Sequence, residues 1–276
     1  MDESLLVGML FGALGALALN VGKGVQKWKI MVLGKGWAMF SAPYRRDFFI
    51  WLIGMGMTTS ANVFFAIALK YTDKTSLVSA MNGLGLIGLV IFAWLVIKEH
   101  IGWRELGGAG LVILGITIMG YFDKPLGGSQ VYSASNFTIS LIIILIIFTP
   151  LVVFSLYTKR LHGFTFGALA GSLIGVAMIL ADMGLVKSGE SISGMLTNQY
   201  AYLALISATV ALALTQLAFW RSTAMIVVPT INSFLVFAPV VIEYFTFGTM
   251  LLPIQYLAVL VIIAGIILLT ASGGKT

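Results

Sequence analysis

FFIWLIGMGMTTSANVFFAIAL (residues 48–69) is an apolar run long enough to cross a bilayer, and it opens the stretch that decides the fold. A second run, residues 75–97, follows after a short break, and a third completes the stretch at residue 120. The same layout returns about 150 positions later, over residues 198–270, and aligns Asn232 with Asn82. Internal duplication in a membrane chain is typical of transporters, whose two halves move about a shared site.

The composition of the whole chain indicates a membrane protein. Apolar residues make up 59% of the chain and charged residues 9%, against about 25% charged in soluble domains. The chain has no cysteine, which excludes disulfides, thiol nucleophiles and Cys-ligated metal. No HExxH, GxSxG or Walker A motif occurs, so we expect neither an enzyme nor a cofactor.

Nine apolar runs predict an all-α membrane protein of about nine transmembrane helices. The runs cover residues 4–22, 48–69, 75–97, 102–122, 137–158, 164–186, 198–219, 224–247 and 252–272. Of the Lys and Arg residues, 12 fall on one side of this topology and 4 on the other. The positive-inside rule therefore places the N-terminus outside and the C-terminus in the cytoplasm of a plasma or inner membrane. The basic residues set orientation, so no nucleic-acid partner is expected.

The order of the runs predicts an inverted repeat. Spans one to four match spans six to nine, and matched spans lie five apart, so the two halves must have opposite orientations. We predict a 4+1+4 bundle with a first repeat over residues 1–125, a linker and unmatched fifth helix over 126–160, and a second repeat over 161–276. Such folds work by alternating access, here through a central cavity between helices 2, 3, 7 and 8. Association with a second copy of the chain stays open.

The longest predicted linker, residues 23–47, combines basic and aromatic residues. It carries Lys35, Arg45 and Arg46 together with Trp37 and further aromatics. One interpretation is an interfacial segment bound to anionic headgroups, or a gate. The plainer interpretation, which we favour, is a basic loop with aromatic anchors.

Polar residues inside the predicted spans are the candidate substrate-binding residues. Thr59 and Asn62 lie three apart near the middle of span two, and Asn82 and Asn232 become symmetry mates on either side of the midplane. Ser79 lies beside Asn82 on span three. Polar groups at this depth must contact protein or water. They line a solute cavity, or they hydrogen-bond neighbouring helices.

Two carboxylates lie within the predicted spans. Asp182 on span six and Glu243 on span eight both fall near the predicted outer ends. They are candidates for a proton or cation site that couples transport, since carboxylates inside a membrane are costly and usually functional. The alternative is that each reaches headgroup water. The sequence leaves the presence of a metal open.

Residues 66–120 resemble the second to fourth helices of the drug/metabolite transporter superfamily, EamA-like branch. The shared features are Ala-Ile-Ala-Leu-Lys-Tyr-Thr at residues 66–72, a basic-acidic turn at Lys98-Glu99, and the run over 107–120. Residues 19–27 and Ser60-Ala61-Asn62 are also similar to the first two helices of the NIPA-type magnesium transporters. That group tends to carry a glutamate where this chain has Thr59, so Mg²⁺ ligands would be few.

Together these features predict a secondary transporter of a small solute or cation, embedded in the lipid bilayer. A Mg²⁺ or other divalent cation transporter is the first alternative. A non-transporting membrane protein, binding lipid or serving as a scaffold, is the second.

Overall fold

The computed structural model describes residues 3–72, 75–122, 134–188, 198–247 and 252–272. Within these ranges the regular structure is helical, without strands, which confirms the all-α prediction for this part of the chain. The α-helices are α1 Glu3–Trp28, α2 Ala42–Thr72, α3 Thr75–Phe92, α4 Trp103–Tyr121, α5 Ala134–Thr158, α6 His162–Lys187, α7 Gln199–Arg221, α8 Ala224–Phe247 and α9 Pro253–Ser272. A 3-10 segment covers Ile30–Phe40, and a π-helical turn covers Ala93–Ile97.

Within the described residues, six helices are long and apolar enough to cross a membrane. The spanning segments are Leu6–Trp28, Ala42–Phe65, Ser135–Thr158, His162–Ala181, Gln199–Arg221 and Pro253–Ala271. A helix satisfies its own backbone N–H and C=O groups, which hydrocarbon cannot do. These segments indicate an integral membrane protein. The nine-span count, the inversion of the halves and the orientation stay predictions.

The first helix is longer than the sequence predicts. Span one was expected to end at residue 22, with a loop over 23–47, but α1 continues to Trp28 and α2 already begins at Ala42. Hydropathy predicts that a span ends where lysines begin. In the structure Lys23 is nevertheless buried, because α1 packs against α2 and α3. The positive-inside count therefore includes one lysine that is inside the protein.

The end of α3 sets the position of an acidic side chain. The helix passes into the π-helical turn and ends at Lys98, which has a left-handed φ of 61°. The Glu99 N–H then donates to the Ala93 carbonyl oxygen at 3.0 Å, which satisfies one of the carbonyl groups at the helix end. This turn fixes the Glu99 backbone directly after the helix.

Packing divides the chain into two units. The first comprises Met1–Pro125, Phe219–Pro229 and Leu252–Thr276, and in it α1 packs against α2 and α3, while α4 packs against α9. Glycine permits the closest approach. A Cβ at Gly85 of α3 would lie 2.2 Å from the Ala16 carbonyl oxygen of α1.

The second unit comprises Leu126–Ala218 and Thr230–Leu251. Its core contains Phe137, Val176, Leu180, Met183 and Ile242, all buried. Helices α6 and α8 approach closely at glycine again. A Cβ at Gly171 would lie 2.4 Å from the Ile231 carbonyl oxygen. The predicted repeat boundaries follow chain symmetry rather than packing, so they stay a prediction.

Candidate functional site

The C-terminal part of α1 carries a polar seam, which we define as buried Asn20, Lys23 and Gln26 together with half-buried Lys27. Positions 20, 23 and 27 share one face of a helix, because residues three or four apart are neighbours. Asn20 is fully buried, Gln26 is 1% exposed and Lys23 is 4% exposed. Lys23 lies five residues before Trp28, or about 7.5 Å along the helix from its end. The seam thus brings a cationic side chain into the interior of a spanning helix.

Gln26 joins the seam to α2. Its Nε2 donates to Thr58 Oγ1 at 2.9 Å and to the Gly54 carbonyl oxygen at 3.3 Å, while Thr58 Oγ1 donates to that same carbonyl at 3.0 Å. The approach depends on Gly54, because a Cβ there would lie 2.8 Å from the Gly22 carbonyl oxygen. The polar contact and the close packing of α1 on α2 therefore occur at the same place.

Asn20 lies at the contact between α1 and α3. Its Nδ2 donates to the Ala16 carbonyl oxygen one turn earlier, at 3.0 Å. On the opposite side, a Cβ at Gly85 would lie 2.4 Å from that Nδ2 atom. Only glycine leaves room for the amide here, so α3 is shaped around it.

Lys27 and Glu99 form a clamp on the turn between α7 and α8. Lys27 Nζ donates to the Phe219 carbonyl oxygen at 2.5 Å, near the end of α7. Glu99 Oε1 accepts from the Ala224 N–H at 2.8 Å, and Oε2 accepts from the Met225 N–H at 3.4 Å. A cation therefore meets the negative end of one helix dipole, and an anion meets the positive end of the next.

Burial raises the pKa of the Glu99 carboxyl above its ordinary value. The N–H groups of Ala224 and Met225 and the charge of Lys27 act in the opposite direction and offset only part of the rise. Desolvation disfavours the charged form of a carboxyl group, whereas donors and cations favour it. The charge of Glu99, and with it the strength of the clamp, therefore depends on pH.

The structure places the predicted binding residues in different environments. On α2, Asn62 and Thr59 are exposed, and Thr59 Oγ1 donates to the Met55 carbonyl oxygen at 3.0 Å. On α8, Asn232 is 3% exposed, next to buried Ser233. The side chains of Asn82, Ser79, Asp182 and Glu243 lie outside the described part of the structure. The assignment of these residues to a site stays a prediction.

A metal site is untested for the same reason. Among the described side chains, no three His, Asp or Glu residues group closely enough to hold a metal ion. Asp182 and Glu243, the two carboxylates predicted inside spans, have side chains outside that described part. Coordination of Mg²⁺ by oxygen ligands stays open.

Sequence reasoning missed the seam and the clamp. The signal for the seam was present, since Asn20, Lys23 and Lys27 have the spacing of one helix face. Because the lysines follow an apolar run, hydropathy places them in a loop rather than on the helix. The sequence points to Glu99 only through its resemblance to a family motif. Its partner Ala224 lies 125 residues away along the chain.

Comparison with known proteins supports the resemblance to the EamA-like branch of the superfamily. Residues 3–121 match the model of the EamA-like transporter family. The match covers α1 to α4, which is less than half of the chain, and supports the superfamily rather than the NIPA-type group. No curated protein and no solved structure matches the chain.

Proposed function

We propose that this protein is a secondary transporter that moves a small solute or cation by alternating access. The observation that carries the proposal is the match of residues 3–121 to a transporter family, together with the helices long enough to span a membrane. The matched residues include the whole seam and Glu99. Substrate recognition at the predicted amide residues, and the central cavity, are parts of this proposal.

Lys23 is the residue of the seam that we assign to transport. A charged side chain at the centre of a spanning helix costs about 2.5–3.5 kcal/mol on insertion scales, and somewhat less near its end. Such residues usually lie on a substrate or ion pathway. A lysine can bind an anionic group of a solute, or exchange a proton during the cycle. We propose that Lys23 does one of these.

The test is uptake by the purified full-length protein in proteoliposomes. The panel contains polar metabolites, with and without an imposed pH gradient, and Mg²⁺ followed by an internal indicator. We expect at least one solute of the panel to accumulate faster in the proteoliposomes than in protein-free vesicles. Movement of Mg²⁺ alone would favour the divalent-cation alternative. If no member of the panel moves, the proposal of transport fails and a lipid-binding or scaffold role gains support.

A further inference from the structure

The segment between α1 and α2 lies at a membrane surface. The spanning part of α1 ends at Trp28, and α2 begins at Ala42 but carries Arg45, Arg46 and Asp47 before its apolar run starts at Phe48. A connection between the adjacent ends of two spanning helices must lie at one face of the bilayer. We define the arm as residues 29–47, which contain the 3-10 segment Ile30–Phe40 and the first turn of α2. The arm is thus folded rather than a plain loop.

One side of the arm is attached to the protein. Ile30 and Val32 are buried, at 2% and 4% exposure. Gly34 packs against the Trp220 ring, since a Cβ there would lie 2.8 Å from it. At the ends of the arm, Lys29 Nζ and Asp47 Oδ1 form an ion pair at 2.7 Å. These contacts fix which side faces away.

The other side of the arm presents large apolar side chains. Trp37 is 89% exposed, and Met31 and Phe40 are also exposed. Trp37 is the outer end of a row of rings. Its centroid lies 6.1 Å from that of Phe40, which lies 5.0 Å from that of Phe48 in an edge-to-face contact. Tryptophan at such a position is characteristic of the headgroup region of a bilayer.

The arm also carries a surplus of positive charge. The arm contains four cations and one carboxylate, and that carboxylate belongs to Asp47, already paired with Lys29. Lys35, Arg45 and Arg46 are exposed, and none has an ion pair within the described ranges. Lys35 Nζ lies 5.2 Å from the centroid of the Tyr44 ring, in a cation–π contact between the 3-10 segment and α2. Phosphate is the group that complements these cations at a membrane surface.

We propose that the arm lies in the interface and binds anionic phospholipid headgroups through Lys35, Arg45 and Arg46. Met31, Trp37 and Phe40 enter the layer between headgroups and acyl chains, as the apolar face of an interfacial helix does. The cations then lie level with the lipid phosphates. This surface is independent of the transported substrate, so it holds or fails separately from transport.

The test compares two pairs of adjacent cations. The double variant Arg45→Gln/Arg46→Gln removes two charges from the arm, and Lys159→Gln/Arg160→Gln removes two exposed charges from the turn between α5 and α6. Full-length protein is placed in mixed micelles of phosphatidylglycerol and phosphatidylcholine. Native mass spectrometry then measures the ratio of the two retained lipids. Melting temperatures in detergent confirm that both variants fold.

We expect the arm variant to lower the phosphatidylglycerol preference more than the control, which removes the same number of charges from another connection between spanning helices but leaves the cations and rings of the arm in place. Each basic residue near an anionic surface contributes about fivefold, so the pair contributes up to about 30-fold at low salt. High salt should reduce the difference by screening. An unchanged preference in the arm variant, or an equal fall in the control, would overturn the proposal. Trp37→Ala should weaken retention of both lipids without changing their ratio.

Discussion

Helices α1 and α6 are matched in the predicted repeat, yet their buried faces differ in chemistry. The buried residues of α1 include Asn20, Lys23 and Gln26. Among the described side chains of α6, the buried polar residues are His162, Thr165 and Ser172, and none is a Lys, Arg, Asp or Glu. Matched positions in a repeat therefore do not imply matched roles. A cation lies inside the first helix, whereas both carboxylates predicted in spans belong to the second half.

The two helices resemble each other in how they pack. Gly85 brings α3 against the Ala16 carbonyl oxygen of α1, and Gly171 brings α6 against the Ile231 carbonyl oxygen of α8. Close approach through glycine is common between membrane helices, where association relies on van der Waals contact. The comparison separates a packing device that both helices share from a buried lysine that, among the described side chains, α1 has and α6 does not. The variants below test each part.

The largest effect is expected from Lys23→Met, which makes the buried face of α1 as uncharged as that of α6. We expect the initial rate of uptake in proteoliposomes to fall by at least about tenfold, corresponding to about 1.4 kcal/mol. The melting temperature should change less than uptake, because methionine is similar in length to lysine and adapts to the same buried space. Loss of transport without loss of stability would assign Lys23 to function.

The matched control is Ser172→Ala on α6, which removes a buried hydroxyl without changing charge. Uptake should be close to wild type. If Lys23→Met transported normally, or lost stability in proportion to uptake, Lys23 would be a structural residue and the contrast between the helices would lose its functional meaning.

A smaller effect, on stability, is expected where the helices are alike. Gly85→Ala and Gly171→Ala each place a Cβ within 2.4 Å of a backbone oxygen, so a helix must shift. Overpacking of this kind costs about 1–3 kcal/mol. We expect both variants to melt at lower temperature in detergent, measured by intrinsic fluorescence.

Gly110→Ala is the control, because a Cβ on Gly110 of α4 meets nothing within 4 Å. Alanine there should be neutral or stabilising, by up to about 1 kcal/mol, through higher helix propensity. Destabilisation by only one of Gly85→Ala and Gly171→Ala would show that the packing device is not shared.

The sequence predicts most of the helices because their apolar runs are long and bounded by turns. It fails where a side chain's environment depends on tertiary contact. Lys23 and Gln26 look like loop residues until α2 and α3 pack around them. Hydropathy predicts the arm as a loop because it does not detect short folded segments. In the structure Gly36, at a φ of 54°, lets the chain turn within the compact 3-10 segment. The contact from Glu99 to Ala224 joins residues too distant in sequence to be read from a pattern.

The smallest expected effect is a change of melting temperature with pH that arises from the clamp. Measuring it tests whether the charges around α1 serve folding as well as transport. Burial raises the pKa of Glu99 above its ordinary value of 4.5, so the folded protein retains a proton where the unfolded chain has released it. The carboxyl therefore costs stability progressively as pH rises from about 4.5 through the folded-state pKa. Glu99→Gln keeps an acceptor for the Ala224 N–H and does not titrate. We expect the melting temperature of wild type, relative to Glu99→Gln, to decline by a few degrees between pH 4 and pH 7.

Taking the difference between the two proteins removes the contributions that are common to both. A constant difference across this range would mean that Glu99 has the same charge in the folded and unfolded chain. In that case the carboxylate is fully compensated by Lys27 and the two N–H groups. The clamp would then be a purely structural contact, like the close packing at Gly85 and Gly171, and Lys23 would stay the residue of the seam that we assign to transport.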